Sequence, residues 1–183
     1  TEALDESVGL VAEALDALGL AKRTVVIFFS DNGGLDRTYH GGGPLITTNA
    51  PLRGVKGQLY EGGIRVPLIV RWPGVVKSGS ICRAPVLSTD FMPTLLDYVA
   101  LPCPTEEQNL PGRSFLPLLR GEAMEERECV VIYDEYGPVR MVRTRDWKFV
   151  YRHSHGPHQL FDLVNDPDER NNLADDPDQA DRI

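Results

Sequence analysis

The segment TVVIFFSDNGG, residues Thr24–Gly34, decides the fold. Its first part is β-branched or aromatic and shows no polar alternation, which is typical of a strand covered on both faces in a parallel sheet. Upstream, apolar residues recur at alternating steps of four and three: Leu4, Val8, Val11, Leu15 and Leu18. This spacing predicts an amphipathic helix from Thr1 to Leu20. A helix followed by a buried strand is half of a βαβ unit. We therefore expect an α/β fold containing part of a mostly parallel sheet with flanking helices.

A long glycine-rich stretch follows this strand. Residues Ser30–Arg65 show little apolar periodicity and predict a loop far longer than the usual ~4–6 residues. Loops of that length inside compact domains are usually functional or disordered. Beyond the loop, Val66–Trp72 predicts a second strand. A helix capped by Ser88 or Thr89 is expected to run to about Leu101.

The hydrophobic period changes in the last third of the chain. Four short runs predict strands separated by turn residues: Cys129–Tyr133, Val139–Thr144, Trp147–Tyr151 and Gln159–Leu163. Thr144-Arg145-Asp146 predicts a hairpin turn between two of them. The pattern favours a small antiparallel sheet. We therefore divide the chain into an α/β part, residues 1–122, and a small antiparallel C-terminal subdomain, residues 123–183.

Composition excludes several classes of protein. The chain has 183 residues, of which 42% are hydrophobic and 25% charged, as in an ordinary soluble globular protein. A net charge of −8 without a basic block argues against a nucleic-acid partner. The longest apolar run, Val25–Phe29, is far short of the ~20 residues that cross a bilayer. Cys82, Cys103 and Cys129 form no CxxC pair, which argues against a zinc site or a disulfide framework. The sequence leaves the compartment open.

The end of the first predicted strand carries candidate metal ligands. Ligands of open α/β sheets bind beyond the carboxyl ends of the strands, where Asp31 and Asn32 stand. Their oxygens are hard donors that can reach one Ca²⁺ or Mg²⁺. Gly33 and Gly34 let the backbone turn away and leave room for a substrate. The alternative is a simple turn, because Asp, Asn and Gly are all turn residues.

A second candidate is the segment NAPLRGVKGQLYEGGIRVP, residues 49–67. Lys56 lies between glycines there, where a lysine can present a point positive charge to an anion. Arg53 and Arg65 are further cations, and Glu61 could pair with either. The alternative is that all of these are solvated surface charges. A divalent cation and a lysine in one cleft would bind a tetrahedral oxyanion ester and stabilise its charge.

Longer stretches of the sequence resemble a known family. They are VVIFFSDNGG, NAPLRGVKGQLYEGGIRVPLIVRWPG, STDFMPTLLDYVAL, LPGRSFLPLLRG, VRTRDWKFVY and QLFDLVNDPDERNNLA. Together they resemble the C-terminal part of an arylsulfatase-like sulfatase, of the alkaline phosphatase superfamily. The resemblance runs from about Thr24 to Ala174. It implies that residues 1–122 are the C-terminal part of the α/β catalytic domain.

The resemblance implies roles for a few residues. Asp31 and Asn32 match two metal ligands of the family, whose metal is usually Ca²⁺, with Mg²⁺ as the alternative. Lys56 matches the lysine that contacts the sulfate group. His40 lies in a glycine-rich stretch between the motifs and could reach the substrate. The alternative for His40 is a solvent-exposed loop histidine.

The resemblance also makes an absence informative. Sulfatases carry a C-x-P-S-R or S-x-P-x-R motif whose Cys or Ser becomes formylglycine, the nucleophile, and no cysteine of this chain lies in such a motif. We therefore expect no catalytic residue within the chain and a formylglycine in a missing N-terminal part. The expected function is that of the C-terminal portion of a sulfatase acting on a small-molecule or glycan sulfate ester. The chain alone is expected to be inactive and prone to self-association.

Two alternatives to a sulfatase remain open. The same cleft would suit a phosphoryl or phosphonate hydrolase of the superfamily. The chain could also be a non-catalytic fragment. Separately, His153, His155 and His158 form a cluster near Asp162 that could be a transition-metal site, although a turn between strands is the preferred interpretation.

Overall fold

The structure is a computed structural model that describes residues 2–35, 47–102, 111–134, 139–153 and 156–183. These residues form two compact units. Unit 1 comprises Thr1–Phe28 and Ile69–Glu126, and unit 2 comprises Phe29–Leu68 and Arg127–Ile183. The predicted domains, 1–122 and 123–183, stay a prediction. The two units differ from the predicted domains, because unit 2 combines the segment 29–68 with the C-terminal strands.

Unit 1 begins with helix α1, Glu2–Ala17, which confirms the first predicted helix. Glu2 and Asp5 lie in its first turn, where a negative charge favours the helix dipole. Its apolar face is open: Leu4, Val11 and Leu18, just beyond the helix end, are each more than half exposed. A 3₁₀ turn, Ala21–Arg23, then leads towards the first strand.

Strands β1, Val26–Phe29, and β2, Leu68–Arg71, pair in a two-stranded sheet. Both strands lie within the predicted segments but are shorter. No β1 residue is buried, so the expected coverage of both strand faces is not seen among the described residues. The mixed α/β class is confirmed. The mostly parallel sheet stays a prediction, because the described residues contribute these two strands to it.

The predicted helix near residue 90 is also present in unit 1. A 3₁₀ turn, Ser88–Asp90, continues into α3, Phe91–Tyr98. The predicted cap is wrong, because Asp90 supplies the carboxylate at this helix start instead of Ser88 or Thr89. Its oxygens accept the N–H groups of Leu87 at 2.9 Å and Arg113 at 3.0 Å. A second short helix of unit 1, α4, comprises Leu116–Arg120.

The C-terminal sheet of unit 2 confirms the predicted strands. It comprises β3, Val130–Tyr133, β4, Val139–Arg143, β5, Trp147–Arg152, and β6, Gln159–Asp162. Neighbouring strands are antiparallel and follow sequence order. Local signals sufficed here, because each strand alternates between two faces and short turns join the strands. The predicted hairpin turn is closed by the Thr144 N–H, which donates to the Trp147 carbonyl at 2.9 Å.

One face of this sheet forms the core of unit 2. Met141, Val150 and Phe161 are buried there against Leu59, which comes from the long glycine-rich loop. That loop contains a short helix that the sequence did not predict: α2, Glu61–Ile64. Two of its four residues are glycines, which disfavour helix, so tertiary packing and not propensity explains this turn.

No helix in the described part of the chain is both long and apolar enough to cross a membrane.

We predict that Phe161→Ala destabilises the chain by about 3–5 kcal/mol, because it empties a fully buried aromatic site. Urea unfolding would measure the loss. Val131→Ala is the matched control, since Val131 is 49% exposed on β3 and should change stability by less than about 0.5 kcal/mol. Equal effects of the two substitutions would contradict this assignment of the core.

Candidate functional site

Asp31 and Asn32 follow the end of β1 after Ser30, as predicted, and both belong to unit 2. Asp31 is exposed and Asn32 is half-buried. The bend is closed locally by the Ser30 hydroxyl, which donates to the Asn32 carbonyl at 2.8 Å. The two oxygen-bearing residues are therefore consecutive in a bend at the carboxyl end of a strand.

Gly33 brings this turn into contact with a second backbone segment. Its N–H donates to the Gly63 carbonyl at 2.9 Å. A Cβ at Gly33 would lie 1.9 Å from the Gly62 carbonyl oxygen, a distance that no side chain tolerates. A glycine is therefore required because two backbones touch, and the Gly62–Gly63 segment holds the Asp31–Asn32 turn in place.

Gly34 links the same turn to the loop that carries Lys56. The Asn49 side chain accepts the Gly34 N–H at 3.0 Å and donates to the carbonyls of Gly34 at 3.1 Å and Gly54 at 3.0 Å. The Lys56 N–H also donates to the Gly34 carbonyl, at 3.2 Å. The role of Asn49 was missed, because these contacts join residues that no local pattern connects.

Lys56 is half-buried between two glycines with left-handed backbone. The φ angles are +88° at Gly54 and +82° at Gly57, a conformation that glycine adopts without steric cost. The structure thus brings the loop of Lys56 to the turn of Asp31 and Asn32. His40, the other predicted substrate-binding residue, lies outside the described residues.

A group of buried charges surrounds Glu61, the residue that precedes Gly62 and Gly63. Lys148 of β5 is fully buried, and its Nζ lies 2.7 Å from an oxygen of Glu61 and 2.7 Å from an oxygen of Glu169. It also donates to the Leu59 carbonyl at 3.1 Å. Arg143 of β4 adds a second cation, since its Nε lies 3.0 Å from Glu61. We call Glu61, Arg143, Lys148 and Glu169 the buried charge cluster.

The cluster is also joined through the backbone. The Glu61 N–H donates to a carboxylate oxygen of Glu169 at 2.7 Å, and the Arg53 guanidinium donates to the Glu169 carbonyl. The expected pairing of Glu61 with Arg53 or Arg65 is wrong. Glu61 starts α2 and faces the sheet, where Arg143 and Lys148 project. The missed signal was in β5, whose alternation places a lysine on the inward face beside Val150.

The cluster determines the charge state of Glu61. Burial by itself would raise the pKa of Glu61, but the attraction and hydrogen bonds of Lys148, followed by those of Arg143, outweigh it. The net effect lowers the pKa of Glu61 below its ordinary value. The carboxylate is therefore ionised at neutral pH and keeps both cations paired.

The donors at the end of β1 suit a hard divalent cation in kind but not in number. Asp31 and Asn32 offer carboxylate and amide oxygens, whereas Ca²⁺ takes about 6–8 oxygen ligands. Within the described ranges no three His, Cys, Asp or Glu side chains come together as a metal site. The two residues therefore fit as part of a coordination shell.

In the described part of the histidine cluster, His158 lies in the connection between two strands, which agrees with the interpretation as a turn. His158 accepts the Arg152 N–H at 3.1 Å, and its ring stacks on Tyr151 with centroids 4.7 Å apart. These contacts connect β5 to the start of β6. His155 lies outside the described residues.

Two family models match the chain. One is described as N-sulphoglucosamine sulphohydrolase, C-terminal, and matches residues 55–183. The other is described as Sulfatase and matches residues 2–101. The chain belongs to the sulfatase family. The resemblance drawn from the sequence motifs is thereby confirmed.

Individual proteins agree with the family assignment. A protein named Sulfatase from Formosa agariphila is 36% identical over 97% of this chain and 35% of its own length. A solved structure in complex with its substrate D-glucosamine-2-N,6-O-disulfate is 25% identical with a TM-score of 0.77, over 98% of this chain and 36% of that one. A phosphonate monoester hydrolase from Silicibacter pomeroyi is 27% identical with a TM-score of 0.74, over 98% and 36%. The sulfatase chain spans about a third of the length of the curated relatives it matches.

The lowered pKa of Glu61 predicts an acid-dependent contribution to stability. A carboxylate with a depressed folded pKa stabilises the fold above its unfolded pKa of about 4.3 and loses this contribution as the pH falls through the folded value. The difference in unfolding free energy between the wild type and Glu61→Gln should therefore be largest at neutral pH and shrink in acid. Urea unfolding across this range measures it.

Glu125→Gln is the control for this titration, because Glu125 is exposed. Its difference from the wild type should stay small at every pH. A Glu61→Gln difference that does not change between neutral and acidic pH would contradict the ion pairs described above.

Proposed function

We propose that the chain is the C-terminal portion of a sulfatase that hydrolyses sulfate esters. The observation that carries the proposal is the hydrogen bond from the Lys56 N–H to the Gly34 carbonyl, 3.2 Å long. It joins the predicted sulfate-binding loop to the turn with the predicted metal ligands. The match of two sulfatase family models along the chain supports the same reaction class.

In this proposal Asp31 and Asn32 supply oxygen ligands to a divalent cation, Ca²⁺ or alternatively Mg²⁺. When bound, the cation supplies a fixed positive charge that polarises sulfate oxygens. Two side chains leave most of a Ca²⁺ shell open, so the remaining ligands come from residues outside this chain.

Lys56 has the second electrostatic role. Its ammonium is a compact point charge that would neutralise sulfate oxygens as negative charge develops on the leaving group. The two nearby glycines, Gly54 and Gly57, suit this role, because their left-handed backbone shapes the loop that presents Lys56. His40 is proposed as a further contact to the substrate.

The nucleophile is proposed to lie outside the chain. No cysteine of the sequence stands in a C-x-P-S-R motif, so the formylglycine expected of a sulfatase would be supplied by another part of the protein. This chain then contributes to binding and charge stabilisation, while the bond-forming group comes from elsewhere.

For the substrate we propose a sulfate ester, with sulfated glycans as the first class to test. The support is the similarity to the structure whose substrate is a disulfated glucosamine. A small-molecule sulfate is the alternative, because the curated relatives also include steryl-sulfatases.

A phosphoryl or phosphonate hydrolase is the second candidate function, favoured by the similarity to a phosphonate monoester hydrolase. Sulfate and phosphonate esters are both tetrahedral oxyanions, so a metal ion with a lysine suits either. The ratio of kcat/KM values for an aryl sulfate and the matched aryl phosphonate, measured on the full-length protein, separates the two. A ratio in favour of the phosphonate would overturn the sulfatase proposal.

We predict that Lys56→Ala in the full-length protein lowers kcat/KM for a sulfate ester by about 10²–10³-fold, as expected on removing one donor to developing charge. Turnover of sulfated monosaccharides and of an aryl sulfate measures the effect. Lys77→Ala is the control, because Lys77 is an exposed lysine of unit 1. Unchanged turnover in the Lys56 variant would refute the assigned role.

The isolated chain should show no sulfatase turnover and should bind Ca²⁺ weakly, since it supplies two proposed ligand side chains. Calorimetric titration and an aryl sulfate assay test both points. The exposed apolar face of α1 also leads us to propose that the isolated chain self-associates, which sedimentation velocity would detect. Tight Ca²⁺ binding or turnover, in a preparation free of longer protein, would contradict the proposal that the nucleophile and most metal ligands lie outside this chain.

A further inference from the structure

One backbone contact helps to hold the proposed metal ligands in place, in addition to the hydrogen bonds of Asn49 and Lys56 to Gly34. The turn Asp31–Asn32 leads into Gly33, whose N–H donates to the Gly63 carbonyl at 2.9 Å, with no room for a Cβ against Gly62. A shift of Gly62 or Gly63 would therefore move the turn. The question is what fixes these two glycines, which have no side chains of their own to anchor them.

The preceding residue anchors them. Glu61 is 3% exposed, and both of its carboxylate oxygens are engaged: Oε1 by Lys148 at 2.7 Å and by Arg143 at 3.0 Å, and Oε2 by Arg143 at 3.4 Å. The Glu61 N–H is held as well, by Glu169 at 2.7 Å. The residue before the two glycines is thus fixed at its side chain and at its backbone.

Lys148 and Glu169 reach across to the loop from the C-terminal part of unit 2, as Arg143 does at the Glu61 carboxylate. Both are fully buried, and Glu169 has a φ of +56°, which non-glycine residues rarely adopt. Residues held in such conformations persist where their surroundings over-determine them, and they cluster at functional sites. Lys148 completes the contact by donating to the Leu59 carbonyl at 3.1 Å.

Ion pairs differ from apolar contacts in what they specify. A buried ion pair is often no more stabilising than apolar residues of the same volume, but its hydrogen bonds have fixed directions. Apolar contacts alone would hold the 59–63 segment on the sheet without hydrogen bonds of fixed direction. The ionic contacts instead specify where Glu61 sits.

We propose that Lys148 and Glu169 are positioning residues for the proposed metal ligands, acting through Glu61 and Gly62–Gly63 on Gly33. The inference rests on the proposed function in so far as Asp31 and Asn32 bind a metal. Neither Lys148 nor Glu169 touches the metal or the substrate in this role. Groups beyond the ligands commonly change metal affinity by about 10–100-fold when they are lost.

The test uses the full-length protein and the double variant Lys148→Met with Glu169→Gln. This pair of changes removes one charge of each sign and leaves the Glu61–Arg143 ion pair, so no buried charge is left without a partner. The matched control is Arg170→Met with Asp168→Asn, which removes a neighbouring ion pair of 3.2 Å whose Arg170 side chain is 75% exposed.

Two measurements read out position and not activity. Amide hydrogen exchange of residues 31–34 should become faster in the double variant, because the Gly33 N–H loses its fixed acceptor. The Kd of the metal-free protein for Ca²⁺, measured by calorimetry, should rise by about 10–100-fold. The control variant should match the wild type in both, and circular dichroism checks that each variant is folded.

Unchanged exchange and an unchanged Ca²⁺ Kd in the folded double variant would overturn the inference. If the double variant does not fold, Glu169→Gln alone decides, since it leaves the Lys148–Glu61 pair in place, and the same two readouts apply. A separate variant tests the proposed function itself. If Asp31 is not a metal ligand, Asp31→Asn in the otherwise wild-type protein leaves Ca²⁺ binding unchanged. In that case the exchange of residues 31–34 alone decides the positioning inference.

Discussion

The buried ammonium of Lys148 is the interaction on which unit 2 depends. Burying an unpaired ammonium away from water costs far more free energy than any single contact can offset. Here three oxygens surround it, from Glu61, Glu169 and Leu59, at 2.7, 2.7 and 3.1 Å. With Arg143 included, two carboxylates face two cations, so the buried charge cluster is neutral as a whole. The loop and the sheet are thus held together by a set of charges that balance one another.

This arrangement explains why a glycine-rich loop can have a defined conformation. Glycine loses more conformational freedom on folding than any other residue, so a segment such as Gly62–Gly63 needs external constraints. Those constraints come from Glu61, which is fixed at its carboxylate and at its N–H, and from the Arg53 carbonyl, which accepts the Gly62 N–H at 2.6 Å. The conformation of the loop is therefore stabilised by its contacts with the sheet, whose strands have strong local preferences for β structure.

The sequence predicted those parts of the structure whose signals are local. The four C-terminal strands and the turn at Thr144 were found because alternation and turn residues act over a few positions. The cluster was missed because its contacts join residues far apart, since Glu61 and Glu169 are separated by 108 positions in the sequence. Helix α2 was missed for a related reason, since its glycines argue against helix and only its packing supports it. Asp31, Asn32 and Lys56 could be proposed from motifs, but the backbone contacts that bring them together could not.

The geometry of the glycines bears on the alternative that DNGG is a simple turn. In a turn that needs glycine, the reason is a positive φ. Gly33 and Gly34 do not have one, whereas Gly54 and Gly57 do. What excludes a side chain at Gly33 is the Gly62 backbone carbonyl oxygen, 1.9 Å from the position of a Cβ, and a Cβ at Gly34 would lie 2.4 Å from the Thr47 hydroxyl oxygen. An isolated turn needs no close contact with another backbone segment. Such a contact is expected where the end of a strand packs against a second loop. The glycines of this segment are therefore explained by close packing directly after Asp31 and Asn32, and this supports the proposal that the two residues are held in a defined position.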